Sequence, residues 1–293
     1  MFKKYIYSSA VIFFALTSCN TEQEKLKDVS KEDVTVTSEE DTPKNEIVYA
    51  IPSPNDQYDL LRSLSEEVKK EIVNPLSAVN NYTTIEKQAL NFGVYLSDAA
   101  YLLRYEQGKK VFLDYLSSLD KLGQNIDITK IYGEELIEEI ENVGADDERL
   151  YEISSENYIS IYDQLIENEK GAELSMILAG SWIETMYILF NTAEEYDKHY
   201  EIEEYIIDQR YVLENLIGFI KNYDQNDGVT NVLAQLNQIN SVYEDMDCQE
   251  SNLEIEEKEG TVMLNGGLSC VFDESTFTKM KSTVFEIRNS IVS

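Results

Sequence analysis

The sequence predicts an all-α protein of about nine helices, with one small β-hairpin near residues 252–266. Apolar residues recur at steps of three and four along most of the chain from residue 57 onward, which is the helical period. Helix-breaking residues such as Pro75 and Gly108 separate these runs. A single stretch alternates apolar and charged residues instead, as strands do. The helices are expected to form either a compact bundle or two related helical halves.

The first 18 residues have the three parts of a secretory signal. Lys3 and Lys4 precede the apolar stretch "YIYSSAVIFFAL", which is shorter than the roughly 20 residues of a membrane span. Leu16-Thr17-Ser18-Cys19 matches the bacterial lipobox, in which the cysteine is acylated and becomes the new N-terminus. We therefore predict a lipoprotein signal peptide over 1–18 and a lipid such as palmitate on Cys19. The alternative is an ordinary signal peptide in which the cysteine has no role.

Residues 19–46 are expected to form a disordered acidic tether. The segment after Cys19 has no aromatic residue and few apolar ones, so it cannot bury enough surface to offset its ordering entropy. Asn20 after the cysteine favours the bacterial outer membrane over the inner one. Glu22 and Glu24 resemble the acidic signals that send Bacteroidota lipoproteins to the cell surface. The periplasmic side and the cell surface both remain open as locations.

Residues 47–293 are long enough to bury a sizeable core as one helical domain or as two packed halves. The net charge of -32 becomes -34 when removal of residues 1–18 deletes Lys3 and Lys4. Such a surface repels phosphate backbones and anionic head groups. Nucleic acid is therefore excluded as a partner, and the membrane is reached through the N-terminal lipid. Runs such as "GEELIEEIEN" are typical of solvated helix faces.

The helices are predicted in order from their apolar faces and end signals. Residues 57–73 place Tyr58, Val68 and Ile72 on one face, and Pro75 ends that helix. Thr83 or Thr84 is the predicted N-cap of the next helix, which runs to about residue 105. The last helix sets Phe277, Met280, Val284, Ile287 and Ile291 on one face. The helices between them are predicted over 109–122, 130–143, 147–167, 170–196, 200–223 and 229–247.

The hairpin prediction rests on residues 252–267, "NLEIEEKEGTVMLNGG", which alternate around "EKEG". Cys248 and Cys270 lie just outside its two ends. An even pair of cysteines in an exported protein is a disulfide candidate, and closing this loop would contribute about 3 kcal/mol on the chain-entropy model. The alternative is two buried reduced thiols. A zinc site is not expected, because there is no second cysteine pair or histidine cluster.

Two helical stretches share a pattern. "LNFGVYLSDAAYLL" (90–103) and "ILAGSWIETMYILF" (177–190) each have a glycine followed two residues later by a large aromatic residue. Each then has a carboxylate three residues before a tyrosine, Asp98 before Tyr101 and Glu184 before Tyr187. The spacing of about 87 residues suggests a duplication, although a shared core pattern would produce much of it by chance.

The stretches "AIPSP", "LNFGVYLSDAAYL" and "LAGSWIETMYI" resemble those of a family of helical lipoproteins from Bacteroidota. The resemblance covers most of residues 48–293. It implies an envelope location and a helical fold. It implies no activity, ligand or site residue.

Glu184 is the most unusual residue in the sequence, because it is the only charged residue from Leu174 to Phe190. A buried carboxylate needs a partner or a raised pKa, and the hydroxyl of Tyr187 lies one turn away. One interpretation is a pocket lined by Glu184 and Tyr187, with Asp98, Tyr101 and Trp182 as further candidates. The other is a helix edge at which Glu184 reaches solvent.

Motifs of known chemistry are missing from the sequence. There is no nucleophile elbow, phosphate loop, dinucleotide fingerprint or His-Glu-x-x-His pair, and no cofactor or metal is expected. "DQNDG" (224–228) resembles a calcium loop, but its glycine comes one position early and Gln235 stands where a bidentate Glu belongs. A turn joining two helices is the favoured interpretation.

Two function classes remain open. The favoured one is a non-enzymatic envelope lipoprotein that binds a partner protein, a glycan or a small ligand, or serves as a scaffold. The alternative is a hydrolase of envelope or dietary polymers that uses paired carboxylates, since glycosidase action needs only two carboxylates a few ångströms apart.

Overall fold

The succession of helices and strands along the chain nearly matches the one that the sequence predicts. A computed structural model describes residues 58, 68–103, 108–126, 128, 134–143, 147–258 and 261–293. These residues belong to one compact unit, Ile47–Ser293. The α-helices are α1 (Ile85–Leu103), α2 (Gly108–Asn125), α3 (Glu134–Asn142), α4 (Asp147–Glu167), α5 (Gly171–Ala193), α6 (Tyr200–Ile220), α7 (Asp227–Glu244) and α8 (Glu274–Val292). The strands are β1 (Cys248–Lys258) and β2 (Thr261–Cys270), and short 3-10 helices cover Leu76–Asn81 and Lys221–Tyr223.

The all-α prediction is confirmed, since the described part of the chain contains eight α-helices and one hairpin. The signal peptide 1–18, Cys19 and the tether lie outside the described residues and stay predictions. Within the described ranges, no helix combines the length and the apolar character that a membrane crossing requires.

Helices α1 and α5 form the centre of the fold and cross at two glycines. A Cβ atom on Gly93 would overlap the carbonyl oxygen of Ile177, and a Cβ on Gly180 would overlap the carbonyl oxygen of Leu90. Only glycine permits so close a backbone approach. The two contacts are reciprocal at a spacing of 87 residues, which is the spacing of the predicted sequence echo. This symmetry is local to the crossing and leaves the duplication of whole halves a prediction.

Helix α5 is surrounded by protein along nearly its whole length. Helices α1, α4, α6, α7 and α8 all pack against it, and its residues from Leu174 to Met186 are buried without exception. A helix that is apolar on every side belongs in the interior of a protein. A charged residue on α5 therefore has to find its partner inside the protein.

Side chains cap several helices where the sequence predicts a start. Thr84 Oγ1 accepts a hydrogen bond from Lys87 N at 3.2 Å at the beginning of α1. Asn226 Oδ1 accepts from Val229 N at 3.2 Å and caps α7, so "DQNDG" is the turn that leads into this helix. At α8 the cap is Asp273, whose Oδ1 accepts from Thr276 N at 2.8 Å.

The predicted helix over 57–73 is wrong at its C-terminal end, because residues 68–73 are not helical and residues 70–73 form a turn and a bend. Distant side chains bind the backbone that follows. Asn74 N donates to Asp98 Oδ2 at 2.9 Å, and Asn74 O accepts from the Tyr115 hydroxyl at 3.2 Å. These long-range bonds satisfy the backbone without helical bonds. Most of the rest of that predicted helix lies outside the described residues.

The β-hairpin is present and longer than predicted. Its strands pair in an antiparallel register from Cys248 opposite Cys270 to Lys258 opposite Thr261, with an irregularity between Ser251 and Glu254. The structure joins Cys248 to Cys270 through a disulfide with an S–S distance of 2.08 Å. The bond therefore closes the hairpin at the end where it meets the helices.

Candidate functional site

The predicted carboxylates Asp98 and Glu184 meet in the interior between α1 and α5. Both side chains have no solvent exposure, and they lie close enough that the negative charge of Glu184 raises the pKa of Asp98. The glycine crossing brings the two helices close enough for this contact. The sequence pattern thus identified two residues that are adjacent in space, although their surroundings differ from the prediction.

A third helix supplies the cation that the buried pair needs. From α8, Arg288 Nε donates to Glu184 Oε2 at 2.8 Å and Arg288 Nη2 donates to Glu184 Oε1 at 3.0 Å. This is the two-pronged geometry in which a guanidinium group binds a carboxylate most strongly. Arg288 is 7% exposed, and its Cζ lies 4.4 Å from the centre of the Tyr187 ring. The aromatic face adds a favourable cation–π contact.

The surroundings of Asp98, the second carboxyl group of the pair, favour its neutral form. Burial raises the pKa of Asp98 well above its ordinary value, and the negative charge of Glu184 raises it further. Asp98 Oδ2 accepts from Asn74 N, whereas no donor among the described residues reaches the buried Oδ1. A neutral Asp98 avoids a second negative charge beside Glu184 and offers an O–H group as a donor.

Glu184 carries the negative charge. Burial raises the pKa of Glu184, but the charge and hydrogen bonds of Arg288 oppose that shift. Burial alone would lower the pKa of Arg288, yet Glu184 holds it above its ordinary value. The ion pair of Glu184 and Arg288 therefore lies beside a carboxyl group, Asp98, whose surroundings favour the neutral form. We name Asp98, Glu184 and Arg288 the buried charge cluster.

A network of hydroxyl groups covers one side of the buried charge cluster. The Tyr58 hydroxyl lies 2.6 Å from Ser97 Oγ and donates to Thr185 Oγ1 at 3.1 Å, and Ser97 Oγ lies 2.9 Å from Thr185 Oγ1. All three residues are fully buried. Burial raises the pKa of Tyr58 well above its ordinary value, so this phenol is a neutral donor. The network connects α1, α5 and the chain before α1.

The other predicted pocket residues have separate roles. Tyr187 donates no hydrogen bond to Glu184, so that part of the prediction is wrong, and its ring stacks on Arg288 instead. The Tyr101 hydroxyl accepts from Lys69 N at 3.0 Å. Trp182 Nε1 donates to Gln209 Oε1 on α6 at 3.0 Å, on a different side of α5 from Glu184. The helix-edge interpretation is also wrong, because Glu184 does not reach solvent.

Arg288 is the residue that sequence reasoning missed, although the sequence contained a signal for it. It lies four residues after Val284 and three before Ile291, so it shares the apolar face of the last helix. A lone cation on one apolar face and a lone carboxylate within another apolar helix are natural partners. The pairing of these two lone charges could have been predicted from the sequence alone.

The buried charge cluster has little capacity to bind a ligand, because most of its polar atoms already form hydrogen bonds within the protein. Both oxygens of Glu184 bind Arg288, and Asp98 Oδ2 accepts from Asn74 N. In the ranges that the structure describes, no three His, Cys, Asp or Glu side chains are close enough together to hold a metal ion. The geometry is that of an interior ion pair that joins α5 to α8.

A different part of the molecule offers an accessible site. A cleft of about 480 Å³ lies at the start of α6, between this helix and the end of β2. We name it the α6 cleft. Its lining combines two tyrosines, four carboxylates and the residues that follow the hairpin: Tyr196, Asp197, Tyr200, Glu203, Glu204, Ile207, Asp208, Cys270 and Phe272.

Hydrogen bonds fix the aromatic walls of the α6 cleft. The Tyr196 hydroxyl donates to Phe272 O at 2.9 Å, which ties the chain before α6 to the segment after β2. The Tyr200 hydroxyl donates to Glu204 Oε1 at 2.5 Å, while 63% of Tyr200 is exposed to solvent. The ring of Tyr200 is thus held in place and accessible.

The carboxylates of the α6 cleft have no cationic partner in the described part of the chain. Burial raises the pKa of Glu203, and burial together with the charge of Glu204 raises the pKa of Asp208. The nearest lysine in sequence, Lys198, pairs with Glu194 instead. Negative charge in this cleft is therefore uncompensated.

A smaller and more apolar cleft of about 410 Å³ lies where the chain before α1 meets α1 and α2. It is lined by Lys70, Glu71, Val73, Asn74, Pro75, Leu76, Leu102, Asp114 and Tyr115. Neither cleft is lined by a residue of the buried charge cluster.

Comparison of the chain with protein-family models, with curated proteins and with solved structures found no significant match.

Proposed function

We infer that this protein is a lipid-anchored, non-enzymatic binding protein of the bacterial outer membrane. The lipobox at Cys19, the acidic tether and the resemblance to helical lipoproteins of Bacteroidota support the location. The folded domain is carried by the tether, which as a flexible chain reaches roughly 30 Å on average. Both faces of the outer membrane are compatible with this arrangement.

The observation that carries the non-enzymatic proposal is the burial of the paired carboxylates. Asp98 and Glu184 have no solvent exposure, and Arg288 occupies both oxygens of Glu184. Hydrolysis needs a water molecule and a substrate bond beside the carboxylates. The interior position of Asp98 and Glu184 instead favours a structural role. The α6 cleft, which is open to solvent, is then the candidate site for a partner.

The alternative function is hydrolysis of an envelope or dietary polymer by the same two residues. Its support is that Asp98 and Glu184 lie together, and that Arg288 counters the rise in pKa at Glu184 while the charge of Glu184 adds to the rise at Asp98. An acid and a base with separated pKa values are the usual requirement for glycosidase chemistry. A substrate could reach Asp98 and Glu184 only if the packed interior between α1 and α5 opened.

The two functions are distinguished by an assay of the mature protein on insoluble peptidoglycan and on starch. We expect no release of reducing ends from either polymer. The matched variant is Asp98→Asn, which keeps the shape of the side chain and an oxygen that can accept from Asn74 N. Release of reducing ends by the parent but not by the folded Asp98→Asn variant would establish the hydrolase and overturn our proposal.

A further inference from the structure

We propose that the Cys248–Cys270 disulfide is an exchange site for an external thiolate, which attacks Cys270 from the α6 cleft and expels Cys248 beside Arg210. The co-reactant is a thiol, and a dithiol completes the reduction. This reaction goes beyond the proposed binding function, which neither requires it nor supplies it.

The two sulfurs of the disulfide differ in the space beside them. Cys270 is half-buried and lines the α6 cleft, whose volume is about 480 Å³. Cys248 is also half-buried, but it is not part of the cleft lining. Exchange begins when a thiolate reaches one sulfur of a disulfide. The cleft gives a small thiol the room to reach Cys270.

A guanidinium group lies against the other sulfur. Arg210 Nη1 donates to Cys248 Sγ at 3.5 Å, while Nε of the same side chain pairs with Glu214 at 3.0 Å. An arginine beside a cysteine stabilises the thiolate form, and the thiol with the lower pKa leaves a disulfide faster. Asp247 precedes Cys248 but is exposed, so water and salt screen its charge. Cys248 is therefore the better leaving group.

The surroundings of Cys270 have the opposite charge. The lining of the α6 cleft contains four carboxylates and no lysine, arginine or histidine. Negative charge nearby disfavours the thiolate form of a cysteine. Cys270 is thus the poorer leaving group, and both access and charge favour attack on this sulfur with release of Cys248.

The reaction has two steps. In the first, the thiolate of the co-reactant forms a bond to Cys270 Sγ as the Cys248–Cys270 bond breaks, and Cys248 departs as a thiolate with the bonding electron pair. In the second, another thiolate of a dithiol attacks the co-reactant's own sulfur in the mixed disulfide. Cys270 is expelled and takes a proton from solvent. The dithiol is oxidised to a disulfide by loss of two electrons, and the two cysteines are reduced.

Contacts beside the disulfide hold the chain without it. Val271 N donates to Asp247 O at 2.8 Å, and the Tyr196 hydroxyl donates to Phe272 O at 2.9 Å. Neither hydrogen bond depends on the covalent link. Reduction therefore removes the covalent closure of β1 and β2 while the helices stay packed, and we expect the reduced protein to keep its helical circular dichroism.

The test traps the product of the first step. The mature, lipidated chain in non-ionic detergent is treated with 2-mercaptoethanol at about pH 8, where part of the thiol is ionised. Free thiols are then alkylated and the peptides are mapped by mass spectrometry. We expect the mercaptoethanol adduct on Cys270 and the alkyl group on Cys248, in about fivefold or greater excess over the reverse pattern. Equal adducts on the two cysteines, an excess on Cys248, or a disulfide that excess dithiothreitol does not reduce in the folded protein would overturn the proposal.

Matched arginine variants test the leaving group. Arg210→Met removes the charge beside Cys248 and is expected to slow the release of this thiol about fivefold or more. Arg149→Met removes a guanidinium group from the surface of α4, where it pairs with Glu139 and Glu152. This control should change the rate less than about twofold, since distant surface charges are screened. Equal rates for the parent and for Arg210→Met would contradict the role of Arg210.

Single-cysteine variants separate charge from access. Cys270→Ser leaves Cys248 as a free thiol, and Cys248→Ser leaves Cys270. The pH profile of alkylation should have its midpoint about one pH unit lower for the Cys248 thiol than for the Cys270 thiol. Identical midpoints, or a lower one for Cys270, would overturn the assignment of Cys248 as the leaving group. If these variants do not fold, the adduct map and Arg210→Met decide the question alone.

Discussion

Replacement of Arg288 by methionine is the sharpest test of the buried charge cluster. Methionine keeps a long apolar side chain against the Tyr187 ring but removes the positive charge. Glu184 then loses the two hydrogen bonds at 2.8 and 3.0 Å and remains fully buried. The variant therefore leaves a carboxylate in the interior without a counter-ion.

The magnitude follows from the burial of both partners. Removing one member of a buried ion pair typically costs about 3–5 kcal/mol, because the remaining charge is left desolvated and unpaired. Both Glu184 and Asp98 have zero exposure, so solvent offers little screening. We expect Arg288→Met to lower the free energy of unfolding by about 3–5 kcal/mol at pH 7.

The loss should depend on pH in a defined direction. Burial already raises the pKa of Glu184, and Arg288 opposes that shift, so its removal moves the folded-state pKa further above the unfolded value of about 4.3. A carboxyl group with a raised folded pKa gives its full stability below the unfolded pKa and loses it as pH rises through the folded pKa. The loss should therefore be smaller at pH 5 than at pH 7, changing by up to about 1.4 kcal/mol per pH unit.

Urea unfolding curves at pH 5, 6 and 7 measure this. The matched control is Arg210→Met, because Arg210 pairs with the exposed Glu214 at 3.0 Å and such pairs contribute about 1 kcal/mol or less. The double variant Glu184→Gln/Arg288→Met removes both charges and should recover much of the loss. A cost below about 1 kcal/mol for Arg288→Met, independent of pH and equal to the control, would refute the reasoning.

Four further predictions follow from the structure and the sequence. Asp98→Asn should raise the free energy of unfolding at pH 7–8 and leave it equal to that of the parent near pH 4. The reason is that the raised pKa of Asp98 makes the parent lose stability as pH rises. Urea midpoints that equal those of the parent at both pH values would contradict this. Gly180→Ala should destabilise by about 1–3 kcal/mol or more through its clash with the Leu90 carbonyl, and its thermal midpoint should fall further than that of Gly123→Ala, where the added Cβ lies 3.1 Å from Ile128 O. Cys19→Ala should abolish metabolic palmitate labelling and release the protein without detergent, and persistent labelling would disprove the anchor. Peptide mapping without reducing agent should find Cys248 linked to Cys270 in protein from the native envelope, and free alkylation of both under denaturing conditions would defeat the disulfide.

The sequence determined the features that depend on neighbouring residues. Helix periods need only contacts three and four residues apart, so α4 begins and ends at Asp147 and Glu167 as the pattern predicts. The Thr84 cap and the hairpin are equally local. The lone charge of Glu184 in an apolar helix also marked it as a residue that needs explanation.

Only the tertiary structure decided which distant residues meet. The Glu184–Arg288 pair joins residues 104 positions apart, and no local period determines that distance. Residues 68–73 are not helical, and the backbone that follows is bound by a distant side chain, because Asn74 N donates to Asp98 Oδ2. The α6 cleft likewise combines the start of α6 with Phe272 beyond the hairpin. Local patterns specify which face of an element is buried, whereas the packing of helices against one another selects the partners on that face.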